Sequence, residues 1–538
     1  MGEIITLQFG EYANYVGTHW WNIQQAYPEE SDKPSITSSV PAATASSSAL
    51  PQPIRPATID HSTLYRTGPL HNYSSVWTPR LLLYDLKENL GSLSPFTGLV
   101  TRNSLSGVPS HDPATTASAS WNTAPKVYQQ TPVKPSPFAQ ALERVGRTSD
   151  AGPGDPILPQ LGPGIRCWSD FSENYWHPQS FARDFSTIAV NGSVNNFGDF
   201  QQGTELFRYQ VSQDEWNESG LRYFVEEADH LQGFQFLADT TDGFGGYSTA
   251  YLAYLREEFP KEPVVVFGVA DRLIPGTHST TTTSHERQRL NEIISLAQFA
   301  QEEALYLPLQ IPPELLRSTL KPSCLSETNS LSPAYQRYLT GALLAAAIDT
   351  FTLPYRTTSP IPNLPFGYYL NQVSNQRNHL IVPMYSTFPS TVPSLPPTSE
   401  ILSQLQQSQW KQHPFSLQDI SLFSNGLGSR APIAPPTVVH RANNLPSAYC
   451  EVGETRGIDI AASLPVSRSF PRELCPQSPS MSSALVVTQA QAHQATWFTD
   501  SAHWLRRYSR SLPSVLYEQD EIGEVVELLL TKARDYSE

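Results

Sequence analysis

Cysteine is scarce. There are four in 538 residues, Cys167, Cys324, Cys450 and Cys475, and none belongs to a Cys-x-x-Cys pair. This spacing excludes a disulfide framework and a cysteine zinc site, and it fits a reducing compartment. Charge is scarce too: charged residues make up 16%, and 35 basic against 50 acidic side chains leave a net charge of −15. A chain this acidic repels nucleic acid unless a local basic patch intervenes. The densest basic cluster, WLRRYSR (504–510), reads as a solvated helix face, so no direct nucleic-acid contact is expected.

Long apolar runs are missing. Nothing approaches the ~18 residues that cross a bilayer, and GALLAAAI (341–348) reads as a piece of buried helix. The first arginine is Arg55 and the opening MGEIITLQFGEY holds two glutamates, so no Arg-rich presequence is read there. Met1 to Thr6 fit the N-myristoylation pattern, but IITLQF as a buried first strand would hide Gly2. Membrane association is therefore expected to be peripheral at most. The Gly-x-Ser-x-Gly elbow, the Walker lysine, His-Glu-x-x-His and the kinase set are all missing. The polar loop between His278 and His285 offers no third metal ligand. No catalytic residue and no metal are expected.

What is present alternates between structured and loose blocks. Residues 3–27 read as a strand, a loop and a helix with Tyr12, Val16, Trp20 and Ile23 on one face. PRLLLYDL (79–86) is a compact strand ending at Asp85. The strand LQGFQFLA (231–238) leads through Gly243, Gly245 and Gly246 to the helix STAYLAYLREEF (248–259), and VVVFGV (264–269) follows as a fully buried strand. This order predicts an α/β fold whose parallel sheet is covered on both faces. LNEIISLAQFAQEEALYL (290–307) and PAYQRYLTGALLAAAIDTF (333–351) read as helices, and HLIVPMYST (379–387) as a strand. A final amphipathic helix carries Ile522, Val525, Val526 and Leu529. The Ser/Pro-rich stretches 30–58 and 101–137 are expected to be disordered insertions.

These residues carry a resemblance. MGEIITLQFGEYANYVGTHWW is similar to the tubulin opening, with Gln8, Gly10, Asn14 and Gly17 in a Gln-x-Gly-x-x-x-Asn-x-x-Gly pattern. PRLLLYDL resembles the tubulin strand that ends on a metal-facing aspartate. LQGFQ followed by a glycine turn and LREEFP resembles a tubulin hallmark. With its large insertions and altered glycine box, the chain resembles the Misato family in its fungal form. The resemblance implies a tubulin-like fold. It assigns residues 1–290 to a nucleotide-binding-type domain with the two insertions, 291–350 to connecting helices, 351–495 to a second, Pro-rich α/β domain and 496–538 to C-terminal helices. It also implies a role in the distribution, shape and inheritance of mitochondria and, in fungi, of mitochondrial DNA. The location implied is the cytosolic face of the mitochondrion and the cytoplasm, with mitochondrial or cytoskeletal protein partners.

The resemblance also marks a site. Where tubulins have an unbroken glycine-rich run, this chain has Thr240, Thr241, Asp242, Gly243, Phe244, Gly245 and Gly246. Side chains stand where only backbone could approach phosphate oxygens. Asp239 and Asp242 put carboxylates beside a triphosphate. Glu11 replaces a tubulin glutamine, and Lys87 an acid two residues past Asp85. The reading is a degenerate nucleotide pocket of Gln8, Gly10, Glu11, Asp85, Gly243, Gly245 and Gly246 that has lost tight GTP binding and holds no cofactor. The glycines then make the turn that packs helix on strand, with Gly245 at positive φ. Asp85 points toward the crevice at the carboxyl ends of the strands. The aromatic run WSDFSENYWHPQS (168–180) belongs to the core or its rim. Two other readings stand beside this one: a weak GTP-binding, polymerising GTPase, and a factor anchored to lipid through Gly2.

Overall fold

IITLQF carries apolar side chains on both sides of its pleat, and the fold covers both. Strand β1 (Glu3–Phe9) is buried along its whole length. It lies between β2 (Leu81–Tyr84) and β3 (Leu231–Asp239), and β4 (Val264–Ala270) and β5 (Leu305–Gln310) extend the sheet in the order β5-β4-β3-β1-β2. Every pairing is parallel, and Leu7 sits opposite Leu82 and Phe236. Alternate residues enter two cores: Ile4, Leu81, Leu83 and Leu237 one, and Ile5, Leu7, Leu82 and Phe236 the other. The computed structural model describes residues 2–27, 57–70, 73–94, 99–100, 133–147, 157–181, 197–212, 218–272, 282–312, 315, 332–359, 364–387, 400–401, 418–422, 433–442, 447–452, 455–474, 480–481, 483–509 and 519–537. Most of both expected insertions, 30–56 and 101–132, lies outside the described residues.

Helices α1 (Glu11–Gln25), α2 (Phe200–Ser212), α3 (Gly243–Glu258), α4 (Thr282–Gln301) and α5 (Pro333–Thr352) dress this sheet. Side chains of α1 and α5 fill one core; those of α2, α3 and α4 fill the other. The second sheet comprises β6 (Met384–Ser386), β7 (Gln418–Asp419), β8 (Thr437–Ala442), β9 (Ala448–Val452), β10 (Thr455–Ile460) and β11 (Ser483–Thr488), ordered β7-β6-β11-β8-β10-β9. Only β8 and β10 of this sheet pair in parallel. Helix α5 shares its core with Val439, Ile458 and Val486 of that sheet, so it is apolar all round. The last helices, α6 (His493–Tyr508) and α7 (Gln519–Asp535), close the other core, where Ile522, Val525, Val526 and Leu529 are buried as the amphipathic pattern predicts.

One element departs from the sequence reading. ALYL was expected to end a helix, but α4 stops at Gln301 and β5 begins at Leu305. Glu303 takes a φ of 51°, outside the helical range, and beyond it the side chains alternate between the two cores, Leu305 and Leu307 in one and Tyr306 in the other. The first sheet therefore runs past the expected boundary at residue 290, which falls within α4.

A buried ionic knot ties α1 and α5 to the second sheet. Asp349 of α5 accepts from Arg356 at 2.8 Å, Arg441 of β8 at 2.5 Å, Tyr27 at 2.6 Å and Gln24 at 2.5 Å. Burial alone would raise this carboxyl, but the two guanidiniums and the hydrogen bonds from Tyr27 and Gln24 hold it below the usual range.

Candidate functional site

Four strands of the first sheet end on the same side, at Phe9, Tyr84, Asp239 and Ala270. The residues just beyond them gather at the carboxyl edge, where open α/β sheets bind ligands. Gly10 follows β1 at φ 99°, a conformation that favours glycine. A Cβ there would fall 2.7 Å from Cβ of Asp239 and 3.2 Å from the Phe244 ring. The loop after β1 therefore lies directly against the loop after β3. Gln8 is buried and packs under α1, where a Cβ on Gly17 would fall 2.0 Å from its side-chain nitrogen.

Asp85 turns inward. Its Oδ2 accepts from Asn14 Nδ2 and Trp168 Nε1, each at 2.8 Å, and its Oδ1 accepts from Asn89 Nδ2 at 2.7 Å and the Leu86 amide at 2.8 Å. Burial pushes the carboxyl up to about 7 despite these donors. With four donors converging on its two oxygens, Asp85 locks α1, the loop after β2 and the aromatic run together. That run is core, as expected: Trp168, Phe171 and Trp176 are buried.

The three glycines behave differently from expectation. They do not form the turn before the helix; α3 begins at Gly243, and the turn is Thr240 to Asp242. Positive φ is confined to Gly10, Gly91 and Gly233 among the described glycines, so Gly245 carries no backbone strain. Their common feature is close approach. A Cβ on Gly246 would fall 1.8 Å from the Phe200 carbonyl, on Gly245 2.4 Å from Ser295 Oγ, and on Gly243 2.8 Å from the Phe197 ring. Conversely, a Cβ on Gly203 of α2 would fall 1.7 Å from the Gly243 carbonyl. The glycine box is a helix-packing surface.

That packing closes the anion position. The first amides of a helix ordinarily offer free N–H groups to an anion. Here Gly243 N–H donates to the Phe197 carbonyl at 3.1 Å, Phe244 N–H to Asp242 Oδ1 at 2.8 Å and Gly245 N–H to the Asp242 carbonyl at 3.2 Å. The Phe244 ring is buried and meets Phe197 edge-on at 4.9 Å. Asn291 of α4 holds the arrangement, donating to the Gly198 and Thr241 carbonyls at 2.8 and 2.9 Å and accepting from Phe200 N–H at 3.1 Å.

Acidic side chains crowd the same edge. Asp239 accepts from the Thr241 amide at 3.1 Å and the Thr241 hydroxyl at 2.7 Å. Burial, and next to it the neighbouring Asp271, raises its carboxyl, and Asp242 is raised by burial and by Asp239. Glu11 and Asp271 are bridged by Arg337 of α5 at 2.7 and 2.8 Å. Burial raises Glu11, partly offset by Arg337. Among the described residues no group of acidic, histidine or cysteine side chains is arranged to hold a metal ion. Of the expected residues, Gly10, Glu11 and Asp85 follow the strand ends and Gly243 opens α3, whereas Gln8 lies within β1 and Gly245 and Gly246 lie in the first turn of α3. Sequence reasoning missed Arg337, Asp271, Asn291, Phe197 and the Asp85 partner Trp168, which come from distant segments that no local pattern joins.

Comparison with known proteins agrees with this architecture. Residues 2–144 match the family model described as Misato Segment II tubulin-like domain, and residues 158–357 match the model described as tubulin domain. Protein DML1 of Gibberella zeae is 31% identical over 359 residues, covering 66% of this chain and 61% of that protein. Protein DML1 of Phaeosphaeria nodorum is 29% identical over 367 residues, 67% of this chain and 60% of that protein. Protein misato homolog 1 of Bos taurus is 28% identical over 400 residues, 69% of this chain and 62% of that protein. The matched region spans less than two thirds of these relatives' own length. The parallel sheet, the order of its loops and both domain matches lead to one conclusion: the chain belongs to the Misato family of tubulin-like proteins.

Proposed function

We propose that the protein is a non-catalytic, tubulin-like interaction protein that acts in the partitioning, distribution and morphology of mitochondria and in the inheritance of mitochondrial DNA. One observation carries the non-catalytic part: the first three amides of α3 are hydrogen-bonded to the chain's own Phe197 and Asp242. A triphosphate there would displace these partners, the Phe244 ring and the α2 packing, and would meet Asp239 and Asp242. The mitochondrial role is what kinship with Misato proteins supports. In this reading the protein acts at the cytosolic face of the organelle and in the cytoplasm, held by protein partners. No helix among the described residues is long and apolar enough to cross a membrane, and attachment is expected to be removed by alkaline carbonate.

Thermal melts of purified protein with and without GTP and magnesium test the first part. The expected outcome is no shift. A saturable rise, lost on Asp85→Ala, overturns the reading in favour of a GTP-binding protein. Depletion in cells tests the second part: normal mitochondrial shape and retained mitochondrial DNA would refute it.

A further inference from the structure

The four helices α2, α3, α4 and α7 line an open groove with a cavity of about 470 Å³, which runs on from the glycine-packed ends of α2 and α3. Its bed mixes small and aromatic side chains with polar ones, Thr204, Thr249 and Gln298 among them. Ala250, Ala253 and Tyr254 of α3 are half-buried along it, and Ile522 and Val525 of α7 line it from the C-terminal helix. Small residues on a helix let another helix approach closely, and the half-buried Tyr254 gives such a helix apolar surface to bury. The rim is acidic. Glu257 of α3, Glu302 after α4, and Glu521 and Glu524 of α7 line the groove, with Arg208 of α2 as the basic residue among its lining. Glu257, Glu521 and Glu524 are exposed, so their charges stand at the mouth.

We propose that this groove docks a basic amphipathic helix of a partner protein, with the aliphatic face on Ala250, Ala253 and Tyr254 and lysines or arginines against the glutamates. Charge complementarity selects the occupant: an acidic or neutral helix would bring no counter-charge to the exposed Glu257, Glu521 and Glu524, whereas a basic one gains steering as well as contact. The inference deepens the interaction-protein reading by naming the partner's chemistry. It is tested without nucleotide and without mitochondria, so its failure is distinct from failure of that reading.

The probe is a synthetic leucine–lysine helix of about four turns, followed by fluorescence anisotropy on the full chain. Its controls are a leucine–glutamate counterpart and a scrambled leucine–lysine peptide of equal charge. Binding of the leucine–lysine helix is expected, weakening as salt rises. The charge reversal Glu521→Lys with Glu524→Lys and the groove-filling Ala253→Trp should each weaken it by about tenfold or more. Glu88→Lys, at the sheet's carboxyl edge, should leave it unchanged, and melts should show all variants folded. The proposal is overturned if the leucine–lysine helix does not bind, if the scrambled or acidic peptide binds equally, or if both groove variants bind like the parent. It is likewise overturned if a groove variant changes the sedimentation of the protein alone, since the occupant would then be a second copy.

Discussion

Asp239 shows what burial does to a single carboxyl at the edge where the strands of the first sheet end. Its carboxylate holds the Thr241 turn, yet burial and Asp271 favour the protonated form. A carboxyl raised in the fold binds a proton that the unfolded chain has already released. Its contribution to stability is therefore full below the ordinary carboxylate range and is lost as pH rises through the raised value. Asp85, pushed up to about 7, extends the same slope toward neutrality. Asp239→Asn can keep the acceptor for Thr241 while removing the charge. The variant should melt higher than the parent at pH 8, by about 2–4 °C, with the gap closing at pH 5. Equal gaps at both values would show that the charge is not what costs stability. The candidate residues were legible one by one from their places in a known pattern; their protonation was not, because it depends on Asp271 and Arg337, distant in sequence.

At the scale of elements, the glycine box binds α2 to α3. Gly246→Ala drives a Cβ into the Phe200 carbonyl, backbone against backbone, where no side chain can yield. It should cost about 3 kcal/mol in denaturant unfolding. Gly523 of α7 has nothing within 4 Å of its would-be Cβ, so Gly523→Ala should stabilise by about 0.5–1 kcal/mol. Opposite signs from one chemical change would establish close approach, not glycine flexibility, as the role of the box. The strands β1, β3 and β4 and helices α1 and α5 could all be read from their apolar patterns. The misreadings fell at ends. Gly243 to Gly246 look like a turn because glycine is a poor helix former, and only α2, about 40 residues away in sequence, makes them helical. β5 looked like helix because a one-residue break at Glu303 leaves no compositional mark.

For the whole molecule, the knot at Asp349 joins α1, α5 and the second sheet. Asp349→Asn would leave Arg356 and Arg441 buried without their carboxylate, at a cost of about 3–5 kcal/mol. Replacing all three by Leu and Met should recover much of this loss, because no charge is then stranded. A triple variant as unstable as Asp349→Asn would mean that packing, not charge, is what the knot supplies. Sequence reading recovered the α/β class and the tubulin-like order of elements, since these follow from local periodicity and short motifs. It missed the knot, whose members Gln24, Tyr27, Asp349, Arg356 and Arg441 come from three distant stretches of chain.

The stoppered end of α3 bears on time as well as on binding. A tubulin whose pocket turns over nucleotide carries a clock, and the age of each subunit determines whether its neighbours stay. Under the function proposed above, a chain whose helix end is occupied by its own carbonyl and carboxylate has no such clock. Its contacts then form and dissolve by concentration and place alone, and whatever schedules them must come from the cell around it.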